Sequence, residues 1–226
     1  MIFPFFASVI VFCIWLAYEI RKSTRKDEKA EREFWEREAA ADATRKKPLD
    51  NLNYIVIPEE VLKPFCDKNG DILPITPGMD SMFSEALTAF AHLKDSKIVN
   101  LSHISNTDLK LTYGAANLPT LTLYDQNFLL LIRILHSMGE YFRENKDNEK
   151  AKTMLEFAIS SGSDSIGTYK LLSEIYVEEE DYSKINYLIS SASLLTGLTK
   201  GPILKNLKEL SKTDSSYEES ILDILD

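Results

Sequence analysis

The stretch LHSMGEYFRENKDNEKAKTMLEFA, residues 135–158, is followed 34 residues later by a stretch of the same character, YKLLSEIYVEEEDYSKINYLISSA, residues 169–192. Seven positions match, with large apolar or small residues in both copies. The matched pairs are Leu135 and Tyr169, Met138 and Leu172, Gly139 and Ser173, Phe142 and Tyr176, Ala151 and Ile185, Leu155 and Ile189, and Ala158 and Ala192. A fixed internal period of this length is typical of helical-repeat proteins.

The spacing within each copy describes two packed helices. Leu135, Met138, Gly139 and Phe142 follow the three-and-four spacing of one helical face, and residues 144–148 form a polar turn. A second apolar stripe then follows, made of Ala151, Leu155 and Ala158. Small residues at the matched positions allow the two helix backbones to approach closely.

This pattern resembles the tetratricopeptide repeat (TPR), whose helix-turn-helix unit has the same length. The resemblance covers residues 132–199 as two TPR-like repeats. It departs from the family at Ser163, where many repeats carry a proline, and at Ile185, which replaces the usual alanine. The family implies an all-α fold, with residues 80–131 as a helical cap region and residues 200–226 as a capping helix and acidic tail.

The resemblance also implies where a partner would bind. In TPR arrays the first helices of successive units line the concave face. The candidate partner-binding residues on those helices are Arg133, His136, Glu140, Arg143, Lys170, Glu174 and Val177. Their mixture of charges does not reproduce the clamp with which some members bind carboxyl-terminal peptides, so that ligand is not carried over.

An apolar stretch from Ile2 to Ile20 opens the chain, interrupted only by Pro4, Ser8 and Glu19. At a rise of about 1.5 Å per residue it nearly matches a hydrocarbon core of about 30 Å. It therefore predicts a transmembrane anchor over residues 1–20, with a cleaved signal peptide and a buried core helix as alternatives. A signal peptide needs positive charge before a shorter apolar run, whereas here the basic residues follow it.

The basic residues after this stretch predict the orientation of the chain. Four of them precede the first acidic residue of the segment: Arg21, Lys22, Arg25 and Lys26. By the positive-inside rule the carboxyl-terminal part faces the cytoplasm, as a single-pass protein of the cell membrane. Cys13 and Cys66 are the only cysteines and provide no intrachain disulfide framework.

Two segments of different composition connect the span to the helical region. Residues 21–47 carry ten basic and seven acidic side chains without Gly or Pro, which predicts a charged juxtamembrane helix. Its large apolar residues, Phe34 and Trp35, either lie on a solvated stalk or dock on a partner or the membrane interface. Residues 48–79 contain five prolines, which predicts a Pro-rich extended belt packed on the helices.

Local signals place further helix ends. Helical periodicity returns after Asp80, and Ser105 and Gly114 have the character of a helix start and end. Another helical region opens at residues 117–119, and Asp125 is a candidate cap for a helix that runs to about residue 145. The tail, residues 215–226, is either a frayed end or a short docking helix.

The sequence contains no recognised catalytic, cofactor-binding or metal-binding motif. His136 and Glu140, one helical turn apart, are a weak metal signal, and an ordinary surface pair is the alternative. The net charge of −9 argues against nucleic acid as a partner. We therefore predict a protein that is not an enzyme and has no cofactor or metal.

The leading hypothesis is a non-catalytic, membrane-anchored TPR-like adaptor that binds another protein at the cytoplasmic face. An alternative is a structural or regulatory subunit of a membrane or envelope complex, which binds through the belt (residues 48–78) or the tail. A third hypothesis, an enzyme with an unrecognised site, requires clustered titratable residues with shifted pKa values in a pocket.

Overall fold

The structure, a computed structural model, describes the backbone of residues 3–211 and the side chains of residues 9–211. In this part the chain is mostly helical, and only an isolated bridge between Cys66 and Ile72 has β character. The prediction of an all-α fold is confirmed. In chain order the helices are α1 (Phe3–Asp42), α2 (Glu59–Leu62), α3 (Ser81–Leu93), α4 (Asn106–Tyr113), α5 (Leu118–Glu144), α6 (Asn148–Ser160), α7 (Ile166–Glu178), α8 (Tyr182–Ser193) and α9 (residues 200–211).

The chain divides into two compact units. The first contains the chain up to Asp50 together with Ile104–Pro119, and so holds α1 and α4. The second contains Asn51–His103 and the chain from Thr120 onward, with the remaining helices. Helix α5 begins in the first unit, to which its first two residues belong.

Helix α1 runs without a break for forty residues, from the apolar stretch into the charged segment. Large apolar side chains between Val9 and Ile20 are exposed on all sides of it. In the part of the chain whose side chains are described, no helix is both long enough and apolar enough to cross a membrane. A transmembrane role for residues 1–20 stays a prediction.

Helix α1 ends at Asp42, five residues before the predicted end of the charged helix. The chain then lies along α4, where the N–H of Lys47 donates to the carbonyl of Tyr113 at 2.9 Å. Gly114 ends α4 with a φ of 92°, and a Cβ there would fall against the backbone of Arg45. The close approach of these two backbones needs glycine at position 114.

A group of charged side chains joins the last turns of α1 to α4 in the first unit. The salt bridges are Arg37–Asp108 (2.5 Å), Lys110–Glu38 (3.0 Å) and Lys110–Asp42 (2.7 Å). Lys110 and Glu38 are only 17% and 18% exposed. Hydrogen bonds from Thr107 and Lys110 lower the pKa of Glu38, and hydrogen bonds to Asp42 and Glu38 raise the pKa of Lys110.

The Pro-rich belt is part of the core of the second unit. It is not extended throughout, because α2 and a 3₁₀ turn, Lys63–Phe65, lie within it. Phe65 is fully buried, with its ring centroid 4.6 Å from that of Phe90 and 5.3 Å from that of Phe83. Pairs of aromatic rings at such distances are favourable beyond the area they bury.

Ser105 caps α4, as the helix start predicted there requires, and Asp80, from which helical periodicity returns, caps α3. The prediction that Asp125 caps α5 is wrong, because α5 begins seven residues earlier, at Leu118. Pro119 fits the first turn of a helix, where its missing N–H costs nothing. Asp125 lies inside α5 and accepts the N–H of Leu101 at 2.9 Å.

Candidate functional site

Two helix pairs, α5–α6 and α7–α8, have turns of the same geometry 34 residues apart. Lys146 and Glu180 both have a positive φ, 61° and 58°. One residue later, Asp147 and Asp181 cap α6 and α8, each by accepting the N–H three residues on. Of the fourteen positions matched between the two copies, all but Ile189 are buried. The period in the sequence is therefore also a period in local geometry and burial.

The small residue at Gly139 sets the distance between α5 and α6. A Cβ at this position would lie 2.5 Å from Cδ2 of Leu155. Such a distance is well inside ordinary van der Waals contact, so the two helices pack in this way only because the position carries no side chain. Ser173, at the matching position of α7, is fully buried as well.

The third helix of this series, α9, begins 34 residues after the start of α7. Its buried residues are Ile203 and Leu207, and Ile203 follows Tyr169 by the same interval. A small gap of about 10 Å³ between α7 and α9 is lined by these apolar side chains together with Ile166 and Asn206. Helix α9 therefore packs against α7 at the end of the repeats, where a third repeat would otherwise begin.

The candidate partner-binding residues lie on α5 and α7, and most are already paired within the second unit. The pairs are Arg133–Glu85 (3.1 Å), His136–Glu140 (3.5 Å), Arg143–Glu174 (2.5 Å), Arg143–Glu178 (2.6 Å) and Lys170–Glu174 (3.8 Å). The sequence indicated the His136–Glu140 surface pair as one alternative, but it did not predict the partners of Arg133, Arg143 or Lys170. Each pairing with Arg143 joins α5 to α7 through residues 31 or 35 positions apart in the chain.

Arg143 is the centre of this charge cluster. Burial alone would lower the pKa of Arg143, but hydrogen bonds and charge attraction from Glu174 and Glu178 raise it. Its side chain is about a quarter exposed, so its guanidinium is held between two carboxylates rather than free in solution. A ligand that used Arg143 would have to displace one of them.

His136 lies against the start of α7. Its Nδ1 is 3.3 Å from Oγ1 of Thr168, which is fully buried, and its ring is next to Gly167. His136 thus has a packing role between α5 and α7, in addition to its position on the candidate face.

Arg133 and Lys170 are the most accessible cations of the candidate set, with side chains 63% and 62% exposed. Exposed ion pairs such as theirs are weak and exchange with water. Val177 is different, because it is partly buried against the core. Of the seven candidates, Arg133 and Lys170 are therefore the best placed to contact a partner without first breaking a buried interaction.

A second surface was not foreseen from the sequence. It is an open cleft of about 590 Å³ in the second unit, formed by the ends of α6 and α8, the side of α7 and the segment before α4. We call it the α8-end cleft; its lining includes Asn100, His103, Tyr169, Tyr187, Ser191 and Leu194. Its residues are distant in the chain, so no local spacing could have indicated it. Burial raises the pKa of Tyr169 to about 12, so its hydroxyl stays neutral.

An exposed aromatic pair lies on α1 in the first unit. The rings of Phe34 and Trp35 meet edge to face with centroids 5.3 Å apart, and both side chains are exposed. This is compatible with either interpretation of the pair made from the sequence, a solvated stalk or a docking site.

We next consider the side chains of the described residues that could bind a metal ion or take part in a reaction. No three His, Cys, Asp or Glu side chains there come together in a way that could hold a metal ion. Cys66 is a free thiol in the belt. Burial raises the pKa of Tyr176, and its hydroxyl donates a hydrogen bond to Glu156.

The tail, residues 215–226, lies outside the described residues, so the prediction made for it stays open. Comparison with protein-family models, with curated proteins and with solved structures found no match to this chain. The resemblance to the TPR family therefore rests on the residues and stays a prediction.

Proposed function

We propose that this protein is a membrane-anchored, non-catalytic adaptor whose TPR-like helix pairs bind another protein at the cytoplasmic face of the cell membrane. The observation that carries the proposal is the recurrence, after 34 residues, of sequence pattern, burial and turn geometry. Repeats of this kind are built to present an extended surface to a partner.

The anchor half of the proposal rests on the composition of α1. Residues 2–20 contain a single charged side chain, Glu19, at the end of the stretch. A helix that is apolar on all sides needs an apolar environment, and a lipid bilayer provides it. The basic residues between positions 21 and 26 favour an orientation in which the carboxyl-terminal part lies in the cytoplasm. A reporter fused after Asp226 tests this orientation: activity only outside the cell would contradict it.

The partner-binding half is tested by charge reversal at the accessible cations. Arg133→Glu and Lys170→Glu, introduced together, should reduce recovery of a cross-linked partner from membranes at least tenfold while the protein remains folded. Lys68→Glu, an exposed lysine in the belt, is the matched control and should leave recovery unchanged. Equal recovery with both proteins would exclude the face formed by α5 and α7.

The second candidate function is a structural or regulatory subunit that binds through the belt or the tail. The burial of Phe65 and Val61 makes deletion of residues 48–78 a poor test, because it would remove part of the core. Exposed belt residues such as Val56 and Ile75 are better targets. If Val56→Asp with Ile75→Asp abolished partner recovery and the α5–α7 variant did not, this second function would replace the first.

A further inference from the structure

The connection between α8 and α9 lines part of the α8-end cleft and carries the two most exposed large apolar side chains of the described residues. Leu194 is 82% exposed and Leu198 is 99% exposed. Both lie in the connection between α8 and α9, and Leu194 lines the cleft together with Tyr187. Apolar side chains exposed to water are stabilised when a partner covers them. This surface is therefore suited to an apolar segment.

The chain itself has such a segment beyond the described residues. Residues 212–226 read KTDSSYEESILDILD. Four of its five large apolar residues lie within its last six positions: they are Ile221, Leu222, Ile224 and Leu225, and the fifth is Tyr217. In composition the segment is an acidic chain with a cluster of large apolar side chains at its end.

The tail is long enough to reach the cleft. Helix α9 begins four residues after Thr196 of the cleft lining and spans twelve residues, about 18 Å. Fifteen further residues can span up to about 50 Å when extended. The chain can therefore turn after residue 211 and bring Ile221–Leu225 back to the beginning of α9 with length to spare.

Charge favours the same path. Lys205 and Lys208 are exposed, three residues apart, on one side of α9. The tail carries four acidic side chains, at Glu218, Glu219, Asp223 and Asp226, and Asp214 directly precedes it. A tail that returns along α9 would bring these opposite charges together, and the attraction raises its local concentration at the cleft.

We propose that the tail of each molecule occupies its own α8-end cleft, where Ile221, Leu222, Ile224 and Leu225 cover Leu194, Leu198 and Tyr187. This inference does not depend on the membrane anchor or on binding at the face of α5 and α7.

Hydrogen exchange of the full chain in detergent tests the proposal. Ile221→Asp with Ile224→Asp should speed amide exchange at residues 193–199 at least fivefold, and deletion of residues 213–226 should do the same. The matched control, Ser220→Asp with Asp223→Asn, changes polar residues between the apolar ones and should leave the exchange rates as in the parent. Exchange in α5 and α6 should be equal in all four proteins, which shows that each is folded.

Unchanged exchange at residues 193–199 in the aspartate variant and the truncated protein would overturn the proposal. Protection that disappears on tenfold dilution would also overturn it, because the tail would then lie in the cleft of a second copy. A cysteine pair gives an independent test, Leu194→Cys with Leu222→Cys in a Cys13→Ser, Cys66→Ser background. It should form an intramolecular disulfide, whereas Met82→Cys with Leu222→Cys should not.

Discussion

At the scale of single residues, Gly139 gives the most direct test of the packing within the first helix pair. Gly139→Ser copies the residue of the second pair, Ser173, but places a Cβ within 2.5 Å of Leu155. We expect the free energy of unfolding to fall by about 1–3 kcal/mol, the usual cost of overpacking. Urea denaturation measures it.

Rescue distinguishes overpacking from a general intolerance of substitution. Adding Leu155→Ile to Gly139→Ser reproduces the combination of Ser173 and Ile189, and should restore at least half of the loss. Gly201→Ala is the control, because no atom lies within 4 Å of its new methyl group, and it should not lower stability. A double variant less stable than Gly139→Ser would contradict the structural equivalence of the two pairs.

The aspartate caps give a dependence of stability on pH with a defined sign. The side-chain hydrogen bond from Lys150 lowers the pKa of Asp147 below its usual 3.8, and the one from Ser183 lowers the pKa of Asp181. Because the folded pKa is the lower one, this stabilisation is present above the unfolded pKa and is lost as the pH falls through the folded pKa.

Replacement of the first cap tests this directly. Asp147→Ala should lower the free energy of unfolding by about 1 kcal/mol at pH 7. The difference from the parent should shrink below pH 4, while Asp147→Asn should keep most of the cap. Urea denaturation at several pH values between 7 and 2.5 measures both effects, and a difference that grows on acidification would refute the assignment.

Residue-scale sequence signals predicted some features of this chain and missed others for a physical reason. The helix start at Ser105 can be predicted from the sequence because a cap acts on an N–H group only three residues away. The partners of Arg143 were not predicted, because they come from α7. Asp125 is a residue type that often caps helices, but its carboxylate accepts a hydrogen bond from the N–H of Leu101, which is distant in the chain.

At the scale of secondary-structure elements, the attachment of α1 to α4 depends on Lys110, which binds two carboxylates. Lys110→Met removes the cation and leaves Glu38 partly buried without its charge partner. We expect faster tryptic cleavage after Arg45, Lys46 or Lys47, because the segment beyond α1 would detach more often. Cleavage of the parent at these residues should also become somewhat faster at high salt, because salt screens the ion pairs of Lys110.

Lys29→Met is the matched control for this experiment. Lys29 forms an exposed pair with Glu33 on the same helix, at 3.6 Å, and contacts no other element through it. Its loss should not change cleavage at residues 45–47. Equal cleavage of the Lys110→Met protein and the parent would show that the polar contacts contribute little to the attachment.

Periodicity predicted the helices of the repeat region well, because α6, α7 and α8 each bury one regular stripe. The belt was harder to predict. Its prolines indicated irregular backbone, but the depth at which Phe65 packs depends on Phe83 and Phe90 of α3. The α8-end cleft was also not predictable from local sequence, because four segments that are separate in the chain form it.

At the scale of the whole molecule, the chain contains both an apolar amino-terminal helix and a repeated helical surface. Tethering in the membrane would confine the adaptor and its partner to the same thin layer, which raises their effective concentration without any new contact. The adaptor proposal therefore makes binding depend on the presence of an anchor but not on its sequence.

The measurement that tests this central claim is cross-linking and affinity purification from membranes of three tagged proteins. These are the full chain, a form without residues 2–20, and a form in which an unrelated membrane span replaces residues 2–20. We expect one partner to be recovered in near-stoichiometric amount with the full chain and with the form that carries the unrelated span. Recovery with the form that lacks residues 2–20 should be at least tenfold lower. Recovery of all three proteins alone, or of the partner equally with all three, would contradict the claim that this is a membrane-anchored adaptor.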